Sequence, residues 1–299
     1  MVRSAAAPSL TRPLWAGPGA ARVLARASRV GVVEIALHPG GYVRFGEDDW
    51  VLVAVPSAPR GPLTVLVAGL DSAPLRPGDE LHVARVSSFS SCGRERRHSR
   101  AAGWRDALSA ALAEVPPAPP ALAPGLDALR RGDLAAGVHA LAGRGEGLTP
   151  AGDDVLAGYA AWRHAAGRPV ALASAAPTVA APTPAPRLAA PTVAAPTPAP
   201  RLAAPTVAAP TPAPRLAAPT VAAPTPAPRL AAVARERCSP LGLAYLRCAQ
   251  LGELAEPADA VLRAVWARDV AGARQTARGL AGWGSSSGAA ILWGMAVAA

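Results

Sequence analysis

Residues 143–158 read GRGEGLTPAGDDVLAG. Glycines, a Thr-Pro pair and two adjacent aspartates crowd together in a chain otherwise dominated by alanine, proline, arginine and aliphatic residues. Thr149 followed by Pro150 predicts a helix start. Threonine as N-cap accepts a bond from an otherwise unpaired backbone N–H, and proline at the first helical position loses no hydrogen bond. Asp153 and Asp154 then fall in the first turn, where each carboxylate complements the positive helix end by about 0.3–1 kcal/mol. Helix starting does not explain Gly143, Gly145, Gly147 and Gly152, whose missing Cβ lets a backbone turn tightly and approach something closely. A glycine loop entering a helix N-terminus suits a phosphate or carboxylate, with Asp153 or Asp154 available to a magnesium ion or a substrate amide. Consecutive helical residues point about 100° apart, so one aspartate is expected to serve the site and the other the fold. No Gly-Lys-Ser/Thr follows and no βαβ unit surrounds the stretch, which excludes a Walker loop and a dinucleotide fingerprint.

A second stretch shares the pattern. SSSGAAILWG from Ser285 lies over TPAGDDVLAG from Thr149 without a gap, pairing Gly152 with Gly288 and Gly158 with Gly294. Both read as helix starts whose later glycine permits close helix packing. If the two N-termini converge, the candidate anion-binding residues are Gly145, Gly147, Thr149, Gly152, Asp153, Asp154, Ser285, Ser286, Ser287 and Gly288. Asp153 or Asp154 is then the candidate metal ligand. The competing reading is a chance likeness between two alanine-rich buried helices.

Working outward, the chain changes character twice. Between residues 29 and 91, the runs VGVVEIAL, YVRF, WVLVAV, LTVLVAGL and ELHVARV are bounded by PGG, GEDD, PSAPRGP and RPGDE, the signature of short strands joined by turns. From Trp104 the period becomes helical in WRDALSAALAEV and LDALRRGDLAAGVHALAG. The sequence PTVAAPTPAPRLAA then occurs four times unchanged, from Pro177, Pro191, Pro205 and Pro219. Four prolines per copy exclude a helix interior or a central strand and favour an extended polyproline spacer. It reads either as a docking segment or as a tandem expansion in a tolerant loop. The expected fold class is therefore α+β: a small antiparallel β-barrel or sandwich, then a helical bundle interrupted by the Pro-rich repeat. The expected divisions are an N-terminal arm or helix (1–28), a β-rich domain (29–100), a first helical part (101–170), a disordered Pro/Ala-rich linker (171–233) and a second helical part (234–299).

With 299 residues and a hydrophobic fraction of 51%, the chain can bury a core without disulfides or metal. The net charge of +10 comes wholly from arginine, since lysine is absent. Aromatics are only 4% and the arginines are scattered, so nucleic acid is not an expected partner. The densest basic cluster, Arg94, Arg96, Arg97 and Arg100 with His98, reads as a solvated segment. Cys92, Cys238 and Cys248 lack metal spacing and fit a reducing compartment. No apolar run reaches the length of a membrane span, so the expected location is the cytoplasm, away from the membrane. His139 and His164 each stand alone on helical segments, and Ser87, Ser88, Ser90, Ser91 and Cys92 have no assignable partner histidine, so no catalytic base is evident.

At residues 143–158 the chain resembles the family typified by the AllH subunit of oxamate carbamoyltransferase, whose signature reads G-x-G-P-G-L-T-P-S-G-D-D-x-L-x-G. The ending GWGSSSGAAILWG resembles that family's G-H-[ST]-S-G-x-D-x-L-x-G. Three positions depart from it: Glu146 stands in place of proline, Ser285 in place of histidine and Ala290 in place of aspartate. The resemblance implies a role in purine or allantoin nitrogen catabolism, interconverting oxalurate plus phosphate with oxamate plus carbamoyl phosphate, in company with other enzyme subunits. Two classes stay open: an enzyme subunit that handles carbamoyl and phosphate groups, and a non-catalytic binding or assembly subunit.

Overall fold

The computed structural model describes residues 9–10, 13–26, 30–38, 40–70, 74–83, 103–167 and 230–299. The basic cluster around His98, the serines around Cys92 and nearly all of the Pro-rich repeat lie outside these residues. Seven strands are described: β1 (Ser9–Leu10), β2 (Pro13–Ala16), β3 (Val30–Leu37), β4 (Gly40–Arg44), β5 (Trp50–Ala54), β6 (Thr64–Val67) and β7 (Glu80–Val83). They form one sheet in the order β1-β7-β3-β4-β5-β6-β2. The class is α+β, as the runs of strands followed by helices imply. The sheet is mixed rather than wholly antiparallel, because β1 runs parallel to β7 and β5 parallel to β6. Hydrophobic period identifies a strand but not its partner.

The two edge strands are also neighbours along the chain. Leu10 ends β1 and Pro13 begins β2, so at about 3.6 Å per residue the opposite sheet edges lie within roughly 11 Å of each other. The sheet is therefore curled into a half-barrel. Its residues alternate between faces as a pleat requires. Val33, Val43, Phe45, Val51, Val53, Val65 and Leu81 form one core with Ala20 and Val23 of helix α1 (Pro18–Arg26). Ile35, Tyr42 and Trp50 belong to a second cluster with Leu241, Ala244, Tyr245 and Cys248.

That second cluster joins the sheet to the helices. After α1 come α2 (Trp104–Leu112), α3 (Ala123–Arg130), α4 (Leu134–Leu141), α5 (Ala151–Ala165), α6 (Leu230–Ala234), α7 (Pro240–Ala249), α8 (Glu256–Trp266), α9 (Val270–Ala281) and α10 (Ser287–Ala298). Helix α6 begins inside the fourth repeat copy, with Leu230 fully buried. The RLAA tail of the copy contains no proline, so it can close a helical turn where the preceding residues cannot. Helix α5 is apolar on nearly every side and buried almost throughout, so it forms the centre of the bundle. Trp162 from α5 meets Trp104 and Trp266 with ring centroids 5.1 and 5.0 Å away.

The helices also repeat one design. One constant offset along the chain relates Asp133 to Asp269, Thr149 to Ser285, Gly152 to Gly288 and Gly158 to Gly294. Asp133 caps α4 through the Ala136 N–H, and Asp269 caps α9 through the Gly272 N–H. The turn before each cap contains a residue at positive φ, Gly132 in one copy and Arg268 in the other. A Cβ on Gly152 would overlap the Leu141 carbonyl at the end of α4, and one on Gly288 would overlap the Leu280 carbonyl near the end of α9. The two copies, α3–α5 and α8–α10, then meet reciprocally: a Cβ on Gly158 would strike the Ile291 carbonyl, and one on Gly294 the Val155 carbonyl.

Candidate functional site

The glycine loop owes its composition to backbone conformation. Gly143, Gly145 and Gly147 hold φ values of +73°, +114° and +99°, a region that side chains disfavour. Gly143 packs on the Arg237 carbonyl and Gly145 on the Ala151 nitrogen, so their close approaches are to protein. Helix α5 starts at Ala151 with Pro150 as its cap, and Thr149 makes no cap bond. The expected Thr149 cap is replaced by a hydroxyl contact across the site. The first donors of α5 are already engaged: Gly152 N–H bonds the Arg144 carbonyl, and Asp153 and Asp154 N–H bond the Pro150 carbonyl. This helix offers side chains to the site rather than a free rank of N–H groups.

Its two aspartates have different partners. Asp153, 1% exposed, accepts bonds from Gly143 N at 2.7 Å, Ser239 N at 2.9 Å and Ser239 Oγ at 3.0 Å. Ser239 in turn caps α7 through the Gly242 N–H. Asp153 thus ties the glycine loop to the start of α7. Asp154 instead lines a cavity of 390 Å³ between the sheet and the helices. Thr149 Oγ1 lies 3.2 Å from Asp154 Oδ2 and 3.2 Å from Ser287 Oγ, which joins the N-terminal ends of α5 and α10. Burial pushes the Asp154 carboxyl up to about 7, against the opposing pull of the Ser287 and Thr149 hydroxyls.

Of the residues expected at the site, Gly147, Thr149, Asp154, Ser285, Ser286 and Ser287 line this cavity. Gly145, Gly152, Asp153 and Gly288 contact protein instead. The lining also includes Glu146, noted in the sequence only as a departure from the family signature, and Tyr42, Tyr245, Glu253 and Trp283, which the sequence reading did not single out. Tyr42 Oη and Tyr245 Oη lie 3.2 Å apart, and burial raises both phenols above the ordinary tyrosine range. The one available signal was Tyr245 lying on the Leu241–Tyr245–Ala249 stripe of α7, which faces the cavity at helical spacing. His139 is exposed on α4, and His164 contacts the Gln250 carbonyl at 3.1 Å.

The electrostatics are one-sided. Glu146, Asp154 and Glu253 line the cavity, and among the described residues no arginine or histidine does. Glu253 is paired with Arg22, which lies outside it. Among the described residues, no group of three or more His, Cys, Asp and Glu side chains is placed to hold a metal ion. No helix among them is long and apolar enough to cross a membrane. The arrangement can accept N–H groups at Asp154 and donate from hydroxyls on either side.

Fold and cavity together define an α+β protein with a partly enclosed cavity where its two helical copies meet the sheet. The family model described as oxamate carbamoyltransferase subunit AllH matches residues 141–183 and 217–299, and the chain belongs to that family. The match takes in Thr149, Asp154 and the serines of α10, while Tyr42 lies outside it. No curated protein and no solved structure matches the chain.

Proposed function

We propose that this chain is a substrate-binding subunit of an oxamate carbamoyltransferase-type enzyme acting in purine or allantoin nitrogen catabolism. The cavity holds the amide or carbamoyl portion of the substrate. The observation that carries this reading is Asp154, a buried carboxyl flanked by Thr149 and Ser287 in a cavity lined by acids and hydroxyls. An amide N–H group finds an acceptor there, and its carbonyl oxygen finds hydroxyl donors at Ser285, Ser286 and Ser287. With a carboxyl that titrates near neutrality, the same group can take up or release a proton as a carbamoyl group changes hands. The carboxylate or phosphate end of the ligand would draw on the α10 end of the cavity or on cationic groups from another subunit.

A second reading, a binding or assembly subunit without chemistry of its own, is favoured by the lining, which among the described residues carries no cationic side chain. Titration calorimetry of the full chain with oxamate, carbamoyl phosphate and phosphate, with and without magnesium, tests the first. Oxamate is expected to bind, and Asp154→Asn to weaken it at least tenfold while the fold persists. Oxamate binding indifferent to Asp154→Asn would sink the reading. Binding without turnover, even when the partner subunits are supplied, would favour the second.

A further inference from the structure

Helix α7 has a second side. Leu241, Tyr245 and Ala249 face the acidic cavity, whereas Ala244, Arg247 and Cys248 face a separate cleft of 550 Å³ on the other side. Four arginines line that cleft: Arg22 and Arg26 from α1, Arg235 just after α6 and Arg247 from α7. Only two acids line it with them, Asp48 and Asp49. The cations missing from the first cavity are concentrated here, and its volume lies within the usual small-ligand range of about 300–1,000 Å³.

The pairing inside the cleft shows where an anion would sit. Arg235 Nη2 and Arg247 Nη2 both reach Asp48 Oδ2, at 2.7 and 3.1 Å, so two guanidinium forks converge on a single carboxylate oxygen. Arg26 reaches Asp49 at 2.9 Å, and Arg22 bonds Glu253 at the edge of the first cavity. Each guanidinium carries five N–H donors, so these contacts leave donor capacity at every fork. Trp50 lines the same cleft and is 8% exposed, and its indole N–H is buried without an acceptor. Guanidinium forks are donors only, and their paired N–H groups can engage two oxygens of one phosphoryl group, where Asp48 offers both arginines a single oxygen.

We propose that this cleft is a second ligand site, distinct from the acidic cavity, which binds a phosphoryl dianion by displacing Asp48 from Arg235 and Arg247. Either free phosphate or a phosphomonoester carries that chemistry. The proposal does not depend on the reading of the first cavity, because the two sites lie on opposite sides of α7.

The test is calorimetric titration of the full chain with inorganic phosphate and with glycerol 3-phosphate. The expected result is saturable binding that weakens as salt rises, as screened charge contacts require. The Arg235→Gln, Arg247→Gln double variant should lose at least tenfold in affinity. Asp48→Asn removes the internal competitor and should bind several-fold more tightly, a gain that damage to the fold cannot produce. Asp154→Asn should leave this binding unchanged. Tighter binding of inorganic phosphate identifies the free ion, and tighter binding of glycerol 3-phosphate identifies a phosphomonoester. Absence of saturable binding of either probe, affinity untouched by the arginine pair, weaker binding in Asp48→Asn, or binding lost with Asp154→Asn would each overturn the proposal.

Discussion

The helical copies α3–α5 and α8–α10 share a capping aspartate, a first glycine seated on the preceding helix and a second glycine at the crossing. They differ in charge at the helix start. Where α5 carries Asp153 and Asp154, α10 carries Ala289 and Ala290, both buried in the apolar core. The shared parts are therefore the packing device, and the unshared carboxyls are what the packing exposes to the cavity or uses to tie elements together. Duplicated geometry with unduplicated charge teaches that small residues at the crossing are required by the fold, whereas the acids belong to one copy for reasons the fold alone does not supply.

The largest effect is expected at the crossing itself. Gly158→Ala and Gly294→Ala each force α5 and α10 apart, because the new methyl meets opposing backbone rather than a movable side chain. Each should cost upwards of about 3 kcal/mol or abolish folding, as overpacking in a rigid core does. Reciprocal contacts also predict coupling: the double variant should cost clearly less than the sum of the two. Chemical denaturation of the two singles and the double would reveal it. Strict additivity would break the comparison, since it would mean the two glycines do not share one interface.

Next comes Asp153, which has no acidic counterpart in α10. Asp153→Ala takes the acceptor from the part-buried N–H groups of Gly143 and Ser239, and leaving such donors unmet costs about 1–3 kcal/mol. A loss below about 1 kcal/mol in denaturant unfolding would show that the tie to α7 is dispensable.

Its neighbour should behave in the opposite sense. The folded carboxyl of Asp154 titrates at about 7, above the ordinary 3.8, so the stability tied to its neutral form is present below pH 3.8 and is lost as pH rises through 7. Above that pH the ionised, buried group is a burden, by about 4 kcal/mol at most for a shift of this size. Asp154→Asn should therefore melt higher than the parent at pH 8, with the gap closing towards pH 4. A gap that is flat from pH 4 to 8 would place the titration elsewhere and remove the proton-transfer role.

Much of this was legible in advance, for physical reasons that can be named. Turn-forming clusters such as PGG and GEDD punctuate the strands, and the switch to helical period locates the bundle, so the α+β class follows from the residues. A barrel and a sandwich both stayed open in the sequence, because the choice between them depends on β1, two residues long, pairing with β7. At the site, Thr149, Asp154 and Ser285 to Ser287 were readable from the paired motifs, and the family resemblance rests on the same residues. Gly152 and Gly288 were assigned to a ligand, yet they seat backbone on backbone; sequence marks a close approach without saying to what. Tyr42 and Tyr245 were hidden because they come from a strand and a helix that meet only through the cluster around Trp50. The arginines of the second cleft were hidden likewise, since α1, α7 and the segment after α6 are far apart in the chain.

The tie from Asp153 to Ser239 has a consequence for the chain as a single thread. Asp153 precedes the proline-rich insertion and Ser239 follows it, and the α5–α10 crossing likewise joins a helix from before to one from after. The bonds that hold the cavity together therefore do not depend on covalent continuity between residues 171 and 229. A cut there would yield two fragments with complementary apolar faces and a part-buried polar latch. The molecule is in effect already divided into two halves suited to reassembly, and a lineage could carry it as two genes without redesigning its interior.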